Sequence, residues 1–284
     1  MFKRLNSIVR IGCIALLIII QSCGNENSDS GNHDGNLNVA NLPDKDAQIQ
    51  RYNLSIKKEQ ALSRTVCDTI ALTEYILDTY PPGTYLVDLD KTLTYNIPSS
   101  AVIYSDKYIF AVIASSKPGE RLIDTKNIVG FDQSYIDLDS TKLGTAFFYL
   151  VLFECDNGKF KTIWEAPVPS HGGFNTLSME KWNYQNTPYI RLNFHYAQGV
   201  GHIDYNYFLV NGITSMPHLL MTYKGLRFQR TITNANNDIY PDYYEYVFYE
   251  SDKKIAVHDS VVFLWNMKDS LYFNPRNPHQ TRSY

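Results

Sequence analysis

The sequence predicts a mainly β protein: repeated antiparallel β units, propeller-like or stacked as a two-sheet sandwich, behind a short helical N-terminal segment. Three observations carry this expectation. The chain holds 22 Tyr and 14 Phe, and aromatic and β-branched runs favour strands. From Tyr85 onward, short apolar runs alternate with Asn, Asp, Gly and Pro turns. Polar loops of similar composition recur roughly every 50 residues, a period that suggests repeated β units.

The N-terminus sets the context. Residues 1–22 read as a signal peptide, with Lys3 and Arg4 ahead of the apolar run Ile11–Ile20. That run is half the roughly 20 residues needed to span a bilayer as a helix. Ile20-Gln21-Ser22-Cys23 resembles the lipobox of bacterial lipoproteins. The resemblance implies cleavage before Cys23, lipidation of its thiol and N-acylation. Acyl chains at about 0.8 kcal/mol per buried methylene then anchor the chain to a membrane. Residues 23–43 form the tether, because a stretch of Gly, Asn, Ser and Asp cannot bury enough apolar area to order itself. The Asn/Tyr/Ile-rich style is similar to that of Bacteroidota lipoproteins. This implies the cell envelope, at the outer membrane, with the periplasmic and surface faces both open. Losing Lys3, Arg4 and Arg10 with the leader takes the net charge from −3 to −6. With no dense Lys/Arg stripe, nucleic acid is not an expected partner.

Residues 44–83 read as helical. Ile49, Tyr52 and Ile56 share one face of a helix over 44–63. A second helix starts at Asp68, a good N-cap, shows Leu72, Tyr75, Ile76 and Thr79 on one face, and stops at Pro81-Pro82-Gly83. Residues 84–284 form the β-rich domain. Its clearest runs are 101–104, 108–114, 146–154, 160–164, 189–194, 205–210, 243–249 and 260–265. Cys13 leaves with the leader, so beyond Cys23 only Cys67 and Cys155 remain. In an oxidising compartment they form either a disulfide or two buried thiols.

Within YLVDLDKTLTY, Asp88 and Asp90 resemble the first motif of haloacid-dehalogenase-type phosphatases. That likeness implies a nucleophile at Asp88 and a general acid at Asp90. The family's chemistry also needs a parallel strand feeding a helix and further carboxylates for magnesium, and neither is visible downstream. The motif recurs as Ile136-Asp137-Leu138-Asp139-Ser140-Thr141. Nucleophile motifs occur once, whereas repeated motifs build architecture. Weaker echoes begin at Asn183 and Asn234. These loops resemble degenerate FG-GAP or VCBS-type repeats, which implies calcium as a cofactor. The best match places ligand oxygens on Asn234, Asn236, Asp238 and Asp242. It departs from the family at Ile239, where a Gly is expected, and a metal-free Asx turn is the other reading.

His195 and His202 flank a possible hairpin turn and would face each other across two strands. With His171, Asp204 or His218 as a third ligand, they would make a zinc site for a metal-assisted hydrolase. Paired imidazoles without metal are the plainer reading. Trp164–Phe174, rich in Pro and Gly, reads as an irregular crossover or binding loop. Tyr205, Tyr207, Tyr240, Tyr243, Tyr244 and Tyr246 could supply aromatic platforms. Strand alternation puts Tyr244 and Tyr246 on one face and Tyr243 on the other. No nucleophile elbow, phosphate loop or dinucleotide fingerprint appears. The expected function is therefore non-enzymatic binding or scaffolding at the envelope, with a glycan or protein ligand.

Overall fold

Two helices lead into the sheets. Helix α1 (Leu42–Gln60) lies against α2 (Thr69–Thr79). Arg51 bonds Asp78 at 2.7 Å, and Lys58 pairs with Glu74. Helix α1 does not bury its expected face: Tyr52 is 67% exposed, and Leu54 is buried instead. Asp68 caps α2, its side chain accepting from Ala71 N at 2.8 Å. Leu72 and Ile76 are fully buried, each worth roughly 1.5–3 kcal/mol of apolar burial.

The computed structural model describes residues 42–61, 63–87, 101–116, 146–169, 176–195, 202–225, 228–251 and 254–284. All lie in one compact unit, Asn38–Tyr284. The leader, Cys23, most of the tether, Asp88–Asp90, Asp137–Thr141 and His171 lie outside the described residues. Among those described, no helix is long and apolar enough to cross a membrane.

The fold is mainly β and antiparallel. In the first sheet, β1 (Thr84–Leu86) and β2 (Val102–Ser105) both pair with β3 (Tyr108–Ser116). Beyond β3 come β4 (Ala146–Asp156) and β5 (Lys159–Val168). Strands β3 and β4 are apolar on both faces because both faces are covered. Ile109, Ala111, Ile113, Val151 and Phe153 pack under α2. Phe110, Val112, Ala114, Leu150 and Leu152 share a core with Leu177, Ile190, Leu192, Tyr205 and Tyr207 of the second sheet. The hairpin β4–β5 turns on Asn157 (φ 48°) and Gly158 (φ 82°), the residue pair a tight primed turn requires.

The second sheet has nine strands, β6 (Thr176–Tyr184), β7 (Thr187–His195), β8 (His202–Phe208), β9 (His218–Lys224), β10 (Phe228–Thr233), β11 (Asp242–Ser251), β12 (Lys254–Asn266), β13 (Leu271–Asn274) and β14 (Asn277–Arg282). Each pairs with its neighbour in sequence. Among the described residues, strands β9 and β10 pair at Gln229–Lys224 and Arg230–Tyr223, and Gly225 N donates to Phe228 O at 2.9 Å. A third core joins Tyr189, Phe208 and Leu220 of β7–β9 to Tyr243, Phe263 and Tyr272 of β11–β13. The β region is thus two antiparallel sheets, and no closed propeller or barrel appears among the described residues. The polar stretches at Asn183 and Asn234 sit beside the β6–β7 and β10–β11 connections.

Candidate functional site

Strand β11 carries a row of rings on one face. The Tyr244 and Tyr246 centroids are 6.1 Å apart, and those of Tyr246 and Phe248 are 6.5 Å apart. All three are partly exposed. Tyr243, one position back, is fully buried on the other face, as strand alternation predicts. Thr231 and Val262 flank Tyr244 in register, and Gln229 and Ser260 flank Tyr246. The row is thus an aromatic strip with hydrogen-bonding neighbours.

A second polar surface lies on β6–β9, where register sets side chains in cross-strand rows. Trp182, Tyr189, Phe208 and His218 form the first row, closed by the third core. Glu180, Arg191, Asn206 and Leu220 form the second. Ser178, Asn193, Asp204 and Thr222 form the third, in which Asn193 Nδ2 donates to Asp204 Oδ1 at 2.5 Å. The Arg191 guanidinium sits 4.7 Å from the Trp182 ring centroid and donates from Nη2 to the Tyr189 hydroxyl at 2.8 Å. Asn206 is fully buried, with Nδ2 donating to Leu220 O at 2.8 Å and Thr222 Oγ1 at 3.0 Å. The sequence reading missed this surface. Its signal, polar residues alternating with apolar ones on four adjacent strands, appears only once the register is known.

His195 and His202 are register partners, with Asp204 two residues beyond His202 on the same strand. His218 is not with them. It pairs with Phe208 while His202 pairs with Lys224, and six residues of strand separate the two positions by roughly 20 Å. His218 instead lies buried against Trp265, ring centroids 4.3 Å apart. Among the described residues, no group of three or more His, Cys, Asp or Glu side chains is placed to hold a metal ion.

The loop from Asn234 to Asp242 does gather the four residues expected to hold calcium. The side-chain oxygens of Asn236, Asp238 and Asp242 accept from N–H groups, whereas Asn234 Oδ1 is buried with no partner among the described residues. Asp242 Oδ1 accepts from Trp265 N, and Oδ2 from Ala235 N, both at 2.9 Å. Asp238 accepts from Tyr240 N and from Asn236 Nδ2, each at 2.7 Å. Asn236 Oδ1 accepts from Asp238 N at 3.0 Å. Burial pushes the Asp242 carboxyl above its usual pKa despite its backbone donors. As arranged, these contacts make the loop a hydrogen-bonded Asx corner.

Cys67 and Cys155 are joined as a disulfide with Cα atoms 6.1 Å apart. The bond fixes the start of α2 to the end of β4. The strand that leads into Asp88 is antiparallel to its neighbour β3, unlike the parallel strand the phosphatase motif requires. The segment expected to be irregular begins as ordered strand, since β5 runs through Val168. Pro167 is accommodated because β5 is an edge strand. Its carbonyl accepts from the Tyr207 hydroxyl at 2.8 Å, and the Pro169 carbonyl accepts from Tyr205 at 2.7 Å. Those two tyrosines therefore serve the core. Comparison with protein families, curated proteins and solved structures returns no match.

Proposed function

We propose that this is a lipid-anchored protein of the bacterial envelope that binds glycans without catalysing a reaction on them. The observation that carries the ligand class is the row Tyr244, Tyr246 and Phe248. The faces of sugar rings are apolar at their C–H groups and polar at their rims. A row of partly exposed rings flanked by Gln229, Thr231 and Ser260 offers both chemistries. A protein partner would call for a broader apolar patch, of several hundred Å². The lipobox at Cys23 and the polar tether support a domain held off a membrane surface, at the outer membrane. The recurring polar loops are read as marks of a hairpin-based repeat, with the connections between antiparallel strands as its variable part.

The test is to screen the mature chain against arrays of polysaccharides of differing sugar composition. Retention by a defined glycan class, lost in Tyr246→Ala, is the expected result. Failure to bind any glycan would reject the reading. An enzymatic alternative rests on the register pairing of His195 and His202 beside Asp204. Metal analysis under zinc-replete conditions decides it, and a metal-free protein would remove it.

A further inference from the structure

We propose that Arg191 and Asn206, beside the indole of Trp182, form a second subsite that holds a hydroxyl group of a carbohydrate. The proposal rests on the glycan reading and adds a site separate from the β11 row.

Two buried polar atoms carry it. The Asn206 amide is oriented by its donor end, because Nδ2 bonds Leu220 O and Thr222 Oγ1 on the β9 side. Nδ2 also reaches Asp204 O at 3.3 Å, which leaves Oδ1 buried and without a partner among the described residues. The residue opposite on β7 is Arg191, whose Nε is also buried without a partner. Cross-strand partners stand about 5 Å apart at Cβ, yet no hydrogen bond joins these two. Glu180, its register partner on β6, accepts from Trp182 Nε1 at 2.6 Å, and among the described residues no hydrogen bond joins it to Arg191.

The chemistry selects the occupant. A group that bridged the two would accept a proton from Arg191 Nε and donate one to Asn206 Oδ1. A hydroxyl does both, whereas an ionised carboxylate cannot donate and an ammonium cannot accept. Trp182 is 46% exposed on the edge strand β6. The guanidinium stacks on its ring at 4.7 Å, and its exposed surface is available to a sugar ring. Water has the same hydrogen-bonding pattern, so a sugar hydroxyl would replace a bridging water there without losing a bond.

The test titrates the mature protein with soluble neutral gluco-, xylo- and manno-oligosaccharides. It follows affinity by calorimetry and the Arg191 Nε–H resonance by NMR. The expected result is that the resonance moves on saturation. Asn206→Asp, which sets a carboxylate against Arg191 and closes the gap with an ion pair, should weaken binding about tenfold. Arg191→Lys, which keeps the charge but removes the Nε donor, should do the same, and it carries the test if Asn206→Asp fails to fold. An unmoved resonance, with wild-type affinity in Arg191→Lys, would overturn the subsite and leave a resident water only. If Tyr246→Ala abolishes binding while Arg191→Lys does not, the subsite alone fails. If the wild type binds none of the oligosaccharides, the glycan reading fails and takes the subsite with it.

Discussion

His218 and Tyr272 meet inside the C-terminal core, with the ring Nε2 and the hydroxyl oxygen 2.5 Å apart. Tyr272 gives its one proton to the carbonyl of Pro241 at 3.0 Å. His218 therefore donates from Nε2, and the neutral tautomer is fixed by its partner.

This pairing makes the fold acid-sensitive. Burial lowers the His218 pKa from 6.5 to about 4. The folded ring stays neutral while the unfolded one takes up a proton. Stability from the neutral ring is full above about pH 6.5 and is lost as pH falls toward 4, by about 3 kcal/mol. Asp242 acts in the opposite sense: its pKa is raised by burial, so its protonation on acidification favours the fold. Melting curves from neutral pH to pH 4 should show the decline, and His218→Gln should flatten it. An equally steep decline in that variant would assign the sensitivity to other groups.

The corner at Asp242 should behave as structure. Asp242→Ala would leave the N–H groups of Trp265, Ala235 and Asn236 without their acceptor. At about 1–3 kcal/mol for an unsatisfied buried group, a loss of about 3 kcal/mol is expected in chemical denaturation. Calcium should leave the wild-type melting temperature unchanged. A rise on calcium addition, absent in Asp242→Ala, would restore the calcium-loop assignment.

The Cys67–Cys155 bond closes a loop across a separation of 88 residues. Chain-entropy arguments give a loop of that size about 4 kcal/mol of stabilisation. The double variant Cys67→Ala/Cys155→Ala should unfold at correspondingly lower denaturant, and reductant should shift the wild type but not the variant. Equal midpoints for wild type and variant would show the bond to be energetically idle.

Membrane attachment should depend on one thiol. Cys23→Ala expressed in a lipoprotein-processing host should move the protein from the membrane pellet to the soluble fraction. Continued pelleting after a high-salt wash would place the anchor elsewhere.

Much of the fold could be read from the chain because the physics is local. Asp68 signals the start of α2, and the apolar runs of β3, β4 and β7 signal strands. Strands β1, β6, β9, β10, β13 and β14 are not among the runs that the sequence marks most clearly. WNY in β6 and NPHQTR in β14 lack an apolar run, and they are strands because a neighbour offers its edge. The α1 face differs from the one expected from Ile49, Tyr52 and Ile56, because Leu54 is the residue buried and Tyr52 is exposed. The Arg191–Asn206 relationship could not be read at all. The two are 15 positions apart, and only the β7–β8 register makes them opposite.

The meander β6–β14 also shapes how the protein comes to be folded. Every strand finds its partner next to it in the chain, so each closure spans a short loop and loses little entropy. Once one hairpin forms, later strands add to a finished template one at a time. The first sheet is different: β3 and β4 pair across the stretch 117–145, a longer closure and so the slower one. A chain released unfolded on the far side of a membrane would assemble its C-terminal sheet by zippering. The N-terminal sheet would close last, and the bond between Cys67 and Cys155 would then act as a latch on the finished fold.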